Sequence, residues 1–411
     1  MFDIPISTKS LLCLTRHIHL FEFDHIEDVM KILSRSMLLK SAFELLVEKG
    51  SEEDVVQHIS DHPDLLKRFD VPSCSWALKL HAHGRKRDFD YITRILEKFA
   101  NVINLMKAPI DLQNAVNQFT ILEDNTEDPS QNIQFCRFIG EGRGSLKNEF
   151  DLKKRKYIGN STMDPELSFI QANLVQSLPG SLILDPFVGT GGLLLSAARF
   201  GGLTMGTEIN YKVARAVGKS SRASELMLCA DQSIRANFVQ YGLEERLVDI
   251  ILADSSQHQL WHMGGMLDAI MTDPPYGVRE KGRKLGNKPI NCERSEAQKC
   301  EGQSRYPEKT KYGISSVYLD LINLAATLLR VGGRLAFWFP VFRNEYTEDV
   351  LPKHKCMHLL YNCEQILTKE SARRLLVYTK ERPCWSTEDK AYFDVDCYKE
   401  STFRDKVFNG C

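Results

Sequence analysis

Two apolar runs that each end in an acid constrain this chain more than any other feature. Leu182-Ile183-Leu184-Asp185 leads into Pro186-Phe187-Val188-Gly189-Thr190-Gly191-Gly192, and Ala269-Ile270-Met271-Thr272-Asp273 leads into Pro274-Pro275-Tyr276-Gly277. A short apolar run closed by turn residues reads as a fully buried strand. Strands buried on both faces belong to parallel sheets covered by helices. In such open α/β sheets a ligand sits outside the carboxyl ends of the strands, where both acids fall. Thr204–Glu208 and Leu247–Asp254 repeat the pattern, so Asp185, Glu208, Asp254 and Asp273 close successive strands. Each acid alone has a plain explanation as a helix cap; four in succession do not.

The first turn supplies Gly189, Gly191 and Gly192, which let backbone approach a ligand closely, and Leu193–Phe200 reads as the helix that follows. A dinucleotide loop would read G-x-G-x-x-G with an acid about 20 residues further on, and a phosphate loop would carry a Lys-Ser/Thr pair. Here Asp185 precedes the glycines and no such pair follows. An acid in that position suits an ammonium or a hydroxyl, and S-adenosylmethionine carries both. An ordinary strand-turn-helix with Asp185 as cap is the competing reading of this stretch.

Asp273-Pro274-Pro275-Tyr276 resembles the D/N-P-P-Y motif of methyltransferases acting on a planar exocyclic nitrogen. Such an amine is a poor nucleophile because its lone pair is delocalised into the ring. A carboxylate and a backbone carbonyl that accept its two N–H groups turn the lone pair toward a methyl donor. Proline fixes φ, and Pro275 restricts Pro274 as well, so the carbonyl of Pro274 is rigidly aimed. Tyr276 offers an aromatic face for a base. A proline-rich type I turn explains the prolines, but not the acid and the aromatic beside them.

The chain has 411 residues, which predicts two or more domains. A net charge of −1 argues against a generally basic nucleic-acid coat and leaves room for a local basic face. No apolar run reaches the roughly 18 residues of a membrane helix, and the N-terminus lacks the layout of a signal peptide. The 11 cysteines never form C-x-x-C, so neither a disulfide scaffold nor a structural zinc site is expected, and the thiols are expected reduced in the cytosol.

Residues 1–150 alternate helical and strand-like pieces. Ile26–Leu39 and Glu52–Ile59 carry helical spacing; Trp76–His83 alternates as a half-buried strand with Lys79, His81 and His83 on one face. Arg85, Lys86, Arg87 and Arg94 follow it, read either as a solvated turn or as an RNA-facing edge. Lys153–Lys156 opens the second half, and Thr162 or Asp164 is expected to cap a helix over Glu166–Leu174. Asp231 is expected to start another helix. Residues 279–311 are Lys/Arg-rich and read as a mobile loop at a substrate mouth. Tyr318–Leu329 reads as a helix ended by Gly332-Gly333, Arg334–Pro340 as a buried strand, and Asn362–Leu367 with Arg374–Thr379 as a closing antiparallel pair.

Taken together, Lys154–Asp164, Asp185–Gly192, Asp231–Gly242 and Asp273–Gly277 closely resemble the tRNA guanine-N2 methyltransferases that modify guanosine at position ten. The resemblance implies a Rossmann-like seven-strand methyltransferase domain over residues 151–385, preceded by an α+β THUMP-type RNA-binding region over 1–150 and followed by a tail over 386–411. It implies S-adenosylmethionine as donor, bound by Thr162, Met163, Asp185, Phe187, Gly189, Thr190 and Gly191. Glu208 is expected at the ribose and Asp254 at the adenine, with Asp273, Pro274 and Tyr276 holding the guanine. Implied partners are tRNA and a small zinc-containing activator protein that covers an apolar face of the sheet, with no membrane. Residues 2–14 match late in the family's pattern, so the ferredoxin-like N-terminal part is expected to be shortened. The alternatives left open are methylation of another planar amine (adenine N6 or a glutamine amide) and a non-catalytic RNA-binding scaffold.

Overall fold

The computed structural model describes residues 8–14, 18–83, 85–103, 106–124, 133–159, 161–216, 233–262, 264–277, 282–286, 309–384, 389–398 and 403. The chain divides into two compact units, Met1–Leu146 and Lys147–Cys411.

The first unit runs β1 (Thr8–Leu14), β2 (Ile18–Phe23), α1 (Ile26–Leu33), β3 (Leu39–Lys49), α2 (Glu52–Asp61), α3 (Asp64–Lys67), β4 (Trp76–His83), α4 (Phe89–Ile103), β5 (Asn117–Asp124) and β6 (Ile133–Glu141). Its six strands lie in the order β2-β1-β3-β6-β5-β4, and the β4–β5 pair is parallel. The unit is α+β, as expected. Val55 and Ile59 of α2 and Ile95, Phe99 and Ile103 of α4 pack on Trp76, Phe119, Ile121 and Phe135 of the sheet. Ser51 starts α2 by accepting from the Asp54 amide, with three acids in the first turn favoured by the helix dipole. The helix predicted over Ile26–Leu39 stops at Leu33, and Leu39 opens β3. Helical spacing persists across the break because Met37 and Leu39 are buried as Val29 and Leu33 are. Of the basic group after β4, Arg87 is turned inward: it pairs with Glu123 at 2.7 Å and lies over the Tyr91 ring.

The helix α5 (Leu146–Glu149) lies where the chain divides. The second unit continues with α6 (Pro165–Leu174), β7 (Leu182–Asp185), α7 (Gly192–Arg199), β8 (Leu203–Glu208), α8 (Tyr211–Ala214), α9 (Ile234–Gln240), β9 (Leu247–Leu252), β10 (Leu267–Thr272), β11 (Arg283–Leu285), β12 (Lys309–Lys311), α10 (Ile314–Leu328), β13 (Leu329–Phe342), β14 (Met357–Ile366) and β15 (Ser371–Lys380). Seven strands form one sheet in the order β14-β15-β13-β10-β7-β8-β9. β13, β10, β7, β8 and β9 are parallel; β15 and β14 close the sheet antiparallel, as predicted.

Four expectations shift. The Gly332-Gly333 pair lies inside β13, where the register with β10 slips, and the helix before it ends at Leu328. Gly332 has φ +81°, and a Cβ on Gly333 would meet the Arg330 carbonyl at 2.9 Å. The helix start placed at Asp231 falls on Ser233, whose hydroxyl accepts from the Ala236 amide; Asp231 lies outside the described residues. Both ends of the basic 279–311 segment pair as an antiparallel hairpin, Arg283 opposite Lys311, and residues 287–308 lie outside the described residues. Past β15, Tyr398 and Phe403 are buried in the largest core cluster, so this part of the predicted tail packs on the sheet.

Candidate active site

At the carboxyl ends of β7, β8, β9 and β10 lies a cavity of about 970 Å³. Thr162, Met163, Asp185, Phe187, Gly189, Thr190, Glu208, Asp254, Asp273, Pro274 and Tyr276 all line it. Gly191 does not. It sits behind the loop with φ +78°, where a Cβ would be 2.7 Å from Ile234 Cγ2. Gly189, with φ +53° and open space where a Cβ would stand, faces the cavity and leaves it room.

One wall is the segment before α6. Thr162 Oγ1 accepts from the Gly159 amide at 2.7 Å and meets the Thr190 hydroxyl at 2.8 Å, latching this segment to the glycine loop. Asp164 caps α6 by accepting from Glu166, with Pro165 opening the helix. Buried Asn237 grips the backbone of Tyr157 through two hydrogen bonds, and Gln240 does the same for Lys154 and Lys156. The two motifs around residues 154–164 and 231–242 are thus halves of one clamp. The basic run is split by it: Arg155 is buried, while Lys153 and Lys154 are exposed.

Asp185 is 1% exposed. Its Oδ1 accepts from the Thr272 hydroxyl at 2.6 Å and from the Phe187 amide at 3.0 Å. Burial pushes its carboxyl up to about 7; those two bonds oppose the rise, and the charges of Asp273 and Glu208 add to it. Glu208 accepts from the Gly189 and Asn210 amides, tying the glycine loop to the end of β8. Asp254 accepts from Ser256 and, at 2.7 Å, from the Leu285 amide, which fastens the β11–β12 hairpin over the site.

Asp273 and Tyr276 lie opposite the glycine loop. The Tyr276 ring meets Phe403 edge-on at 6.2 Å, so a residue of the tail backs the aromatic face. Sequence reading missed that support, and it missed Arg373. The Arg373 Nη1 atom is 3.7 Å from Asp273 Oδ2. Away from the cavity, Cys356, Cys384 and Asp389 converge within 4.8 Å, but Arg382 and Lys355 already face the Asp389 carboxylate at 3.4 and 3.5 Å. That arrangement opposes a bound cation and instead anchors the segment after β15.

The fit to S-adenosylmethionine rests on the donor set. A buried carboxylate faces a space into which no described cation projects from the glycine loop, the loop glycines leave a cradle that side chains would fill, and two further acids stand at adjacent strand ends. With the sheet order and the Asp-Pro-Pro-Tyr corner, these features define an S-adenosylmethionine-dependent methyltransferase. The family model for UPF0020, an RMKL-like methyltransferase domain, matches residues 153–289. The tRNA (guanine(10)-N(2))-methyltransferase TRMT11 of Xenopus laevis is 36% identical over 402 residues, covering 93% of this chain and 81% of that protein. The same enzyme of Gallus gallus is 33% identical, over 98% of this chain and 89% of its own length. TrmN from Thermus thermophilus, a solved structure, is 16% identical over 84% of both chains with a TM-score of 0.39. The chain belongs to the TRMT11 family of tRNA (guanine(10)-N(2))-methyltransferases.

Proposed function

We propose that this chain transfers the methyl group of S-adenosylmethionine to the exocyclic N2 amine of guanosine 10 in tRNA, giving N2-methylguanosine. The observation that carries this is the convergence of Asp273–Tyr276 and the glycine loop on one cavity in a chain of this family. Bound there, S-adenosylmethionine supplies an electrophilic sulfonium methyl. Asp185 holds the ammonium of the donor, Glu208 its ribose hydroxyls and Asp254 its adenine amine; Thr162, Met163 and the Phe187–Thr190 loop close around it.

The target nucleoside leaves its stack to enter the pocket. Asp273 and the Pro274 carbonyl accept the two N2–H groups, and Asp273 takes the proton released on transfer. Tyr276 stacks on the base, a contact worth roughly 1–3 kcal/mol. Catalysis is mainly positioning.

The first unit contributes tRNA binding, with Arg85, Lys86 and Arg94 exposed for phosphate contact. A small zinc-containing activator docks on β9. This strand lies at one edge of the sheet and exposes Val248 (51%), Ile251 (39%) and Leu252 (42%), a surface suited to strand addition. Among the described residues no helix is long and apolar enough to cross a membrane; the cytosolic setting follows from the tRNA substrate proposed here.

The test is co-expression with the activator, incubation with unmodified tRNA and labelled donor, and identification of the labelled nucleoside. Label is expected in N2-methylguanosine at position 10. Asp273→Ala is expected to abolish transfer while calorimetry still detects donor binding. Label in another nucleoside would move the substrate, and turnover by Asp273→Ala would remove the role given to that residue.

A further inference from the structure

Arg373 is the cavity's least explained feature. It projects from β15 into the pocket wall, 12% exposed, and every part of its guanidinium but one is held. Nε donates to Gln365 Oε1 at 2.6 Å, Nη2 donates to Met163 Sδ at 3.4 Å, and the plane lies 4.2 Å over the Trp338 ring. Trp338 is itself fixed, its Nε1 donating to Gln171 Oε1 at 3.0 Å. The amide of Gln171 in turn donates to the carbonyls of Thr272 and Ala336, gripping the strand that ends in Asp273. One buried glutamine therefore braces both the platform under Arg373 and the backbone that presents Asp273. Nη1, facing Asp273 Oδ2 at 3.7 Å, is within ion-pair range but beyond a hydrogen bond. Among the described residues its N–H groups have no acceptor.

A rigid guanidinium that stops short of the adjacent carboxylate leaves N–H groups for a third party in the same cavity. The side-by-side order is acceptor, then donor. The Watson–Crick edge of guanine presents the complement: N2–H and N1–H as donors, then O6 as acceptor. A purine that carries the 2-amino group but lacks O6 would leave that guanidinium without its acceptor. We infer that Arg373 reads guanine O6 beside Asp273, making this pair the determinant that recognises the 6-oxo group of the target purine. The assignment rests on the proposed function, since it assumes that the amine of a purine occupies the Asp273 corner. A charged donor that loses its acceptor in a buried site discriminates by on the order of 10- to 100-fold.

The test uses the chain with its activator and two tRNAs assembled by ligation, one with guanosine at the target position and one with 2-aminopurine. The analogue keeps the acceptor amine and lacks O6 and N1–H. The loss of N1–H is common to both enzymes compared, so the change in preference on mutation isolates O6. The wild type is expected to prefer guanosine strongly in kcat/KM. In Arg373→Met that preference is expected to fall by 10- to 100-fold, and Arg373→Lys, which keeps a cationic donor, is expected to recover part of it. The preference is a ratio within one preparation, so partial misfolding of a variant cancels. An unchanged ratio with lower rates on both RNAs would overturn the assignment and leave Arg373 as a brace. An unchanged ratio with weakened donor binding in calorimetry would overturn it in favour of a contact to the donor carboxylate. A wild type that binds donor and methylates neither RNA would remove the proposed function, and this assignment with it.

Discussion

Replacing Asp185 by Asn is expected to stabilise the donor-free protein above neutral pH while destroying its hold on the donor. The substitution is nearly isosteric, and the amide oxygen can still accept from Thr272 and Phe187, both of which bond Oδ1 in the native site. What is lost is a carboxylate forced to ionise out of water. Its pKa stands at about 7 in the fold against an ordinary 3.8. Between those values the native state keeps a proton that the unfolded chain has released, so native stability falls as pH rises, by about 1.4 kcal/mol per pH unit. The asparagine variant lacks this slope. Its advantage should be absent near pH 4, grow through pH 7 and then level off at about 4 kcal/mol, an upper value because cavity water relaxes the cost.

Urea unfolding of both proteins from pH 4.5 to 8.5 reads the curve directly. With donor present the order should reverse, because the wild type gains ligand stabilisation that the variant cannot. Binding an ammonium selects ionised Asp185, so donor affinity of the wild type should weaken below about pH 7, toward tenfold per unit. Calorimetry in two buffers of different ionisation enthalpy should show a proton released. A stability difference that is flat with pH, or a variant that binds donor as tightly as the wild type, would refute the reasoning.

Gly191→Ala combines a left-handed φ with a Cβ 2.7 Å from Ile234 Cγ2, so it should cost about 1–3 kcal/mol in thermal unfolding and weaken donor binding; in a double-mutant cycle with Ile234→Ala, the coupling between the two changes should report the steric part alone. Phe403→Ala empties a site that is 2% exposed behind Tyr276 and should cost about 3 kcal/mol. Steady-state kinetics should show KM for tRNA rising, with donor affinity retained in calorimetry. Ile251→Lys on the exposed edge strand should change stability by no more than about 0.5 kcal/mol yet abolish co-purification with the activator; continued co-purification would place the partner elsewhere.

The parts of the site that were legible in the sequence are those written locally. A buried parallel strand, its terminal acid and its Gly- or Pro-rich turn are contiguous, so β7, β8, β9 and β10 and the residues at their ends could be read directly. Arg373 could not. It sits in a strand, beside a second arginine, that needs no function to explain it, and it meets Asp273 only because β15 pairs with β13, which pairs with β10. Trp338, Gln171 and Phe403 are illegible for the same reason: each acts on a partner distant in the chain. Nothing in the Lys153–Lys156 run tells its four basic residues apart. The clamp from Asn237 and Gln240 instead turns the backbone so that Arg155 goes inside.

The contact between Phe403 and Tyr276 sets an order on the ribosome. Asp273–Tyr276 emerges long before α10, β13, β14 and β15, and Phe403 follows them all. A nascent chain released before Tyr398 would already carry the glycine loop and its strand-end acids, yet its base-stacking ring would lack the edge that steadies it. Tyr276 therefore gains its edge-on neighbour last, after every strand of the sheet it stands beside has been made.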